Sequence, residues 1–150
     1  MKKALWGPII WNLLHCLTIK IKDDKFAACK DELIKNIMSI FGNLPCPECS
    51  KHASSLFKKY NIKNIKEKKI LIKALFVIHE DVNKRLRKPL NEYTILDKYN
   101  NYNLKEVVTK YVNVLNVSNY SEKMLLYSFG KKKFLTSFIK YIRNNINNFD

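Results

Sequence analysis

The sequence predicts an all-α protein: a four-helix bundle, then a short fifth helix and a helical C-terminal extension. Three observations carry this prediction. Only 3 glycines and 4 prolines interrupt the 150 residues, and the last proline is Pro89. Apolar side chains recur at three- and four-residue spacings rather than alternating. At 47% of the chain they are enough to fill the core of one ordinary domain.

The first helix covers residues 8–21, with Ile9, Ile10, Leu13, Leu14, Leu17 and Ile21 in step and Pro8 near its first turn. Asp23 and Asp24 are candidate caps for a second helix, whose Phe26, Cys29, Leu33, Ile37 and Ile40 share a face. It stops near Gly42-Asn43. A third helix opens at Pro45-Cys46-Pro47 and reaches about Tyr60. The fourth runs from about Glu67 to Arg87, contains the densest apolar run and ends before Pro89. Four helices with short connections make a bundle the economical fold. Residues 91–103 predict a short helix and a linker, and two amphipathic segments come after them, Leu104–Val117 and Phe134–Phe149. The chain thus divides into residues 1–100, which carry the recognisable chemistry, and 101–150, a helical extension without any.

The formal charge is +15, from 28 Lys plus Arg against 13 Asp plus Glu. Such a charge attracts nucleic acid and other polyanions. The lysines are spread over every segment rather than gathered in a stripe, so composition explains them better than a nucleic-acid interface does. Met1-Lys2-Lys3 leads into Trp6 without a signal peptide's apolar core and cleavage site, and no run approaches the ~18 apolar residues of a membrane span. The expectation is a soluble cytoplasmic protein. In that setting 4 cysteines point to redox or metal chemistry rather than a structural disulfide framework.

Cys46-Pro47-Glu48-Cys49 is the most informative motif. With Pro47 as the first helical residue, Cys46 falls at the N-cap, where unpaired N–H groups and the helix dipole favour a thiolate. Spacing alone leaves three readings open: a thioredoxin-type pair, a zinc site completed by His52 and His79, or a redox disulfide in a helical flavin oxidase. Trp11 and His15 lie four apart on one flank of the first helix, as do His79 and Asn83 near the end of the fourth, with Lys88 beyond them. A ring, imidazoles, an amide and a cation are what a flat heteroaromatic ligand bearing phosphate needs.

Trp11-Asn-Leu-Leu-His15, Cys46-Pro-Glu-Cys49 and His79-Glu-Asp-Val82-Asn83-Lys-Arg-Leu86-Arg-Lys88-Pro89 together resemble the Erv/ALR family of FAD-linked sulfhydryl oxidases, over about residues 4–97 and in that family's order. The short form is most similar to versions encoded by large DNA viruses. The resemblance implies FAD as cofactor and no metal. It implies that Cys49 lies against the flavin, that Cys46 exchanges with the incoming thiol, and that electrons pass to oxygen to give hydrogen peroxide. Gly7, Trp11, His15, His52, His79, Asn83 and Lys88 are the implied FAD contacts. It also implies a homodimer paired through the first two helices, consistent with the broad apolar surface of residues 9–21, a width that serves FAD equally well. Several positions depart from the family pattern: Glu80 stands for a usual Asn, Leu75 for Trp, Ile19 for Tyr, Pro8 for Arg and Arg87 for Gly. No second, shuttle cysteine pair is present. Cys16 and Cys29 fall on apolar faces and read as buried small hydrophobes, so a thioredoxin-like or CxxC partner, or a small thiol, is expected to deliver electrons straight to Cys46. The competing function is a zinc-stabilised basic helical module that binds nucleic acid.

Overall fold

Burial on nearly every side singles out the first helix, α1 (Lys3–Lys20), as the centre of the protein: Trp6, Ile10, Leu13, Leu14, Cys16 and Leu17 are all buried. The computed structural model describes residues 3–116 and 122–150, with side chains outside 122–129. Five further helices surround or adjoin α1: α2 (Asp23–Gly42), α3 (Pro47–Lys59), α4 (Lys68–Arg85), α5 (Leu104–Leu115) and α6 (Glu122–Asn145). Short 3-10 segments occupy Ile62–Asn64, Tyr93–Asn101 and Ile146–Asn148. Among the described residues there is no strand, only one isolated bridge, and no helix is long and apolar enough to cross a membrane.

α1 begins before Pro8, which therefore lies inside the helix and leaves the Ala4 carbonyl without its i−4 donor. The added turn brings Trp6 into the core, and that burial offsets the lost bond. α4, α5 and the Tyr93–Asn101 segment all pack on α1. Its broad apolar surface is thus covered largely from within the chain and gives no separate support to a second subunit.

Asp23 and Asp24 do not cap α2. The N-cap is Lys22, with no side-chain bond, and the two aspartates sit in the first turn, where they complement the helix dipole. Asp23 instead takes a 2.6 Å contact from Lys68 Nζ, which also donates to the Ile21 carbonyl at 2.6 Å and so ties the start of α4 to the start of α2.

The end of α4 closes with two crossed bonds, Lys88 N–H to the Asn83 carbonyl at 2.9 Å and Arg87 N–H to the Lys84 carbonyl at 3.1 Å. This is the Schellman arrangement, and it puts Arg87 in the left-handed region at φ 55. Glycine is the usual residue there because a Cβ costs about 1–2 kcal/mol in that conformation. Arg87→Gly is therefore expected to raise stability by about 1 kcal/mol, read as a higher urea midpoint with an unchanged slope.

No linker separates the fifth helical piece from α5. The 3-10 segment ends at Asn101, and Asn103 already caps α5 by accepting the Glu106 N–H at 3.2 Å. Val117, the expected end of that helix, lies outside the described residues. α6 starts at Glu122, well ahead of Phe134. Tyr111 of α5 and Phe138 of α6 are fully buried and meet edge-on at 5.5 Å. The chain end returns to α1: Lys22 N–H donates to the Asn148 carbonyl at 2.8 Å and Asp150 N–H to the Lys20 carbonyl at 2.7 Å. One hydrophobic core therefore runs from Trp6 to Phe149. Cys16 is buried in it as expected, whereas Cys29 is only half-buried against it.

Candidate functional site

A cleft of about 390 Å³ opens between α1, α3 and the C-terminal end of α4. α1 brings Gly7 and Trp11 to its wall, α3 brings Cys46, Cys49 and His52, and α4 brings His79 and Asn83, with Lys88 just beyond. Phe41, Leu44, Ala53, Leu56 and Val82 make the lining apolar.

Cys46 is the N-cap of α3, extended at φ −123 and ψ 115, with Pro47 as the first helical residue. Its sulfur accepts the Cys49 N–H at 3.2 Å and so sits at the positive end of the helix. Both thiols are half-buried and unbridged. Burial pushes the Cys49 thiol up, the neighbouring Cys46 adds to the shift, and the Lys3 ammonium opposes it.

The Trp11 and His79 rings are stacked 3.9 Å apart and nearly parallel, at 5°. That spacing leaves no room between them, so they form one flat platform. His15 is absent from the cleft wall. It lies behind the platform, 1% exposed, with Nε2 2.9 Å from His79 Nδ1. The two nitrogens share one proton, and which ring carries it depends on the tautomer. His15 Nδ1 is buried without a partner. Burial, then the His79 and Lys98 charges, push His15 down to about 3; burial likewise takes His79 to about 4. The pair is therefore neutral at neutral pH and works by hydrogen bonding rather than charge.

Positive charge comes instead from Lys3, Arg85, Lys88 and Lys98, which all line the cleft. None takes part in the ion pairs found among the described residues. Asn83 is buried and donates its amide to Glu80 Oε1 at 3.3 Å. His52 lies on the wall, its imidazole pushed down by burial and by Arg85 and Lys3. Lys3, Arg85, Lys98 and Tyr99 are wall residues that the sequence does not single out. Only their positions in the fold reveal them, since a lysine-rich chain gives no local signal for any one lysine.

The zinc reading loses its ligand set. Among the described residues no three His, Cys, Asp or Glu side chains converge on a metal position. His79 has one ring face on Trp11 and its Nδ1 on His15. The arrangement fits a different ligand: one with a flat polar aromatic system for the platform, N–H or carbonyl edges for Asn83 and His79, and an anionic portion for the cations. Gly7 leaves room for close approach, because a Cβ there would meet only Lys3 Cγ, at 3.9 Å.

A sequence model described as the Erv1 / Alr family matches residues 8–106. A protein of Invertebrate iridescent virus 3, named as a candidate FAD-linked sulfhydryl oxidase, is 30% identical over 97 residues, which is 63% of this chain and 66% of that relative. The chain thus spans just under two thirds of the relative's length. No solved structure matches.

Proposed function

The chain belongs to the Erv1 / Alr family, and on that premise we propose that it is an FAD-dependent thiol oxidase whose redox pair is Cys46 and Cys49. The observation that carries this reading is Cys49 on the wall of the same cleft as the Trp11/His79 platform, with Cys46 at a helix N-terminus beside it.

When bound, FAD supplies a two-electron acceptor for the protein dithiol and a route for those electrons to oxygen, giving hydrogen peroxide. Trp11 and His79 offer it a flat face, Asn83 a polar edge, and Arg85, Lys88 and Lys98 a charge match for a pyrophosphate. His15 acts through His79, holding its ring by the 2.9 Å bond.

The thiol chemistry belongs to this chain. With Cys46 and Cys49 bridged, a substrate thiolate attacks Cys46 Sγ, a mixed disulfide forms, and Cys49 leaves with the electron pair of the broken S–S bond. A second substrate thiolate attacks the substrate sulfur of that mixed disulfide and releases Cys46. The substrate leaves as a disulfide, two electrons have passed to the protein pair, and its thiolates take up the protons that the substrate thiols gave to solvent on ionising. Cys46 is released at the N-terminal end of α3, and Lys3 offsets the burial that opposes a charge on Cys49. Cys16 is buried in the core and takes no part in the cleft wall, which supports a thioredoxin-like or CxxC protein, or a small dithiol, acting on Cys46 directly.

Purified protein is expected to be yellow, to release FAD on denaturation and to consume oxygen when dithiothreitol is added. Folded, colourless protein with no flavin by mass spectrometry would falsify the proposal.

A further inference from the structure

Three hydrogen bonds converge on one carboxylate beside the cleft. Glu80 Oε1 accepts from Asn83 Nδ2 at 3.3 Å and from Asn91 Nδ2 at 3.1 Å, while Oε2 accepts the Asn91 backbone N–H at 2.9 Å. We propose that Glu80 is a positioning residue of the cofactor site: it fixes the Asn83 amide so that Oδ1 is the atom offered to the ligand, and it pins the segment carrying Lys88.

A carboxylate has acceptors only. An amide beside it must turn its nitrogen inward, so a buried Asn83 held this way keeps Oδ1 for the cleft, which it lines. The site then demands an N–H donor from whatever sits there. An amide at position 80, the usual residue in the family this chain resembles, both donates and accepts and imposes no such choice.

The second half of the device concerns Lys88. Residues 84–91 are all exposed, and α4 with its cap bonds holds them as far as Lys88. The Asn83 carbonyl holds the Lys88 N–H at 2.9 Å, and Glu80 holds Asn91 by two bonds. The backbone of α4 thus anchors one end of the stretch on which Lys88 stands, and Glu80 anchors the other through Asn91. Preorganisation of this kind lowers the ordering cost on binding.

This inference rests on the FAD reading above. The test is a fluorescence titration of flavin-free protein with FAD, on wild type, Glu80→Gln, Asn83→Ala, the double variant and Asn91→Ala, with melting curves alongside. The glutamine side chain of Glu80→Gln retains one carbonyl oxygen for Asn91 but also places an NH2 in the cluster, which lets the Asn83 amide turn over. Glu80→Gln is expected to weaken FAD binding about tenfold while its melting point stays close to wild type. Asn83→Ala should cost a similar factor, and the double variant should bind within about twofold of Asn83→Ala, because both changes remove the same contact. Asn91→Ala removes one of the two bonds that pin the Lys88 segment and should weaken FAD binding a few-fold with a melting point close to wild type; unchanged affinity overturns the pinning role. Wild-type affinity in Glu80→Gln, or losses that multiply in the double variant, overturns the proposal. Wild type that takes up no FAD defeats the oxidase reading and this one together, a result distinct from either.

Discussion

Cys49→Ser is expected to abolish oxygen consumption with dithiothreitol, a fall of about three orders of magnitude or more, while the protein still purifies with flavin bound. The two outcomes separate because Cys49 is one wall residue among many. The platform of Trp11 and His79, the Asn83 edge and the basic side chains remain in place. A serine hydroxyl neither forms the S–S bond nor leaves with its electron pair at neutral pH, so the exchange step has no counterpart. Cys46→Ser should be equally inactive for a different reason, since it removes the sulfur that substrate attacks. The two variants are told apart with an added disulfide such as oxidised glutathione. In Cys49→Ser the remaining Cys46 thiol has no partner to resolve its mixed disulfide, and the adduct should accumulate and be seen by mass spectrometry. In Cys46→Ser the remaining thiol is Cys49, which burial disfavours as a thiolate, so the adduct should form more slowly. Turnover retained by Cys49→Ser would mean that another sulfur serves the flavin, and the assignment of roles would have to be abandoned.

The helices of the bundle are legible in the sequence because each carries an apolar stripe longer than chance produces. The Cys46 cap is legible because Pro47 has one favourable place at a helix start. The boundaries are less so. Pro8 reads as a start signal, yet Trp6 gains enough from burial to carry α1 past it. Asp23 reads as a cap, yet Lys68, distant in sequence, claims its carboxylate. Tertiary competition of this kind has no local signature.

The site divides the same way. Trp11, Cys46, Cys49, His79, Asn83 and Lys88 announce themselves by spacing, and the fold brings all six to one cleft. His15 is equally conspicuous in sequence but stands behind His79. A four-residue helical spacing fixes a flank, not a depth. Lys3, Arg85 and Lys98 are illegible because similar residues surround them in the chain. Arg87 illustrates the reverse case, since its departure from glycine is visible in sequence while the positive φ that gives it meaning is not.

Lowering the pH should destabilise the flavin-free protein well before its carboxylates titrate. His15 has an ordinary value of 6.5 and is held down to about 3 in the folded protein. Above 6.5 both folded and unfolded chains carry it neutral, and it contributes no pH dependence. Below that value the unfolded chain binds a proton that the folded chain refuses, so stability falls by about 1.4 kcal/mol per pH unit until the folded group titrates. At about pH 5, His15 alone removes about 2 kcal/mol, a large part of the roughly 5–15 kcal/mol typical of a domain. His79, held to about 4, adds a loss of the same sign and of similar size down to about pH 5, because its folded value also lies below that pH. Asp23 and Asp81 are lowered from 3.8 by their partners, and their losses come only as pH falls through that lower range. The interval from about pH 7.5 to 5 therefore isolates the histidines. The measurement is the urea midpoint at both ends of that interval, for wild type and for His15→Gln. Wild type should lose a substantial part of its midpoint on acidification. His15→Gln should start lower, having lost the bond to His79, but fall less. Equal wild-type midpoints at the two pH values would show that His15 takes up its proton without unfolding the chain. The neutral imidazole pair would then no longer hold as the support of the Trp11/His79 platform, because a protonated His15 and a protonated His79 cannot share the hydrogen that joins them.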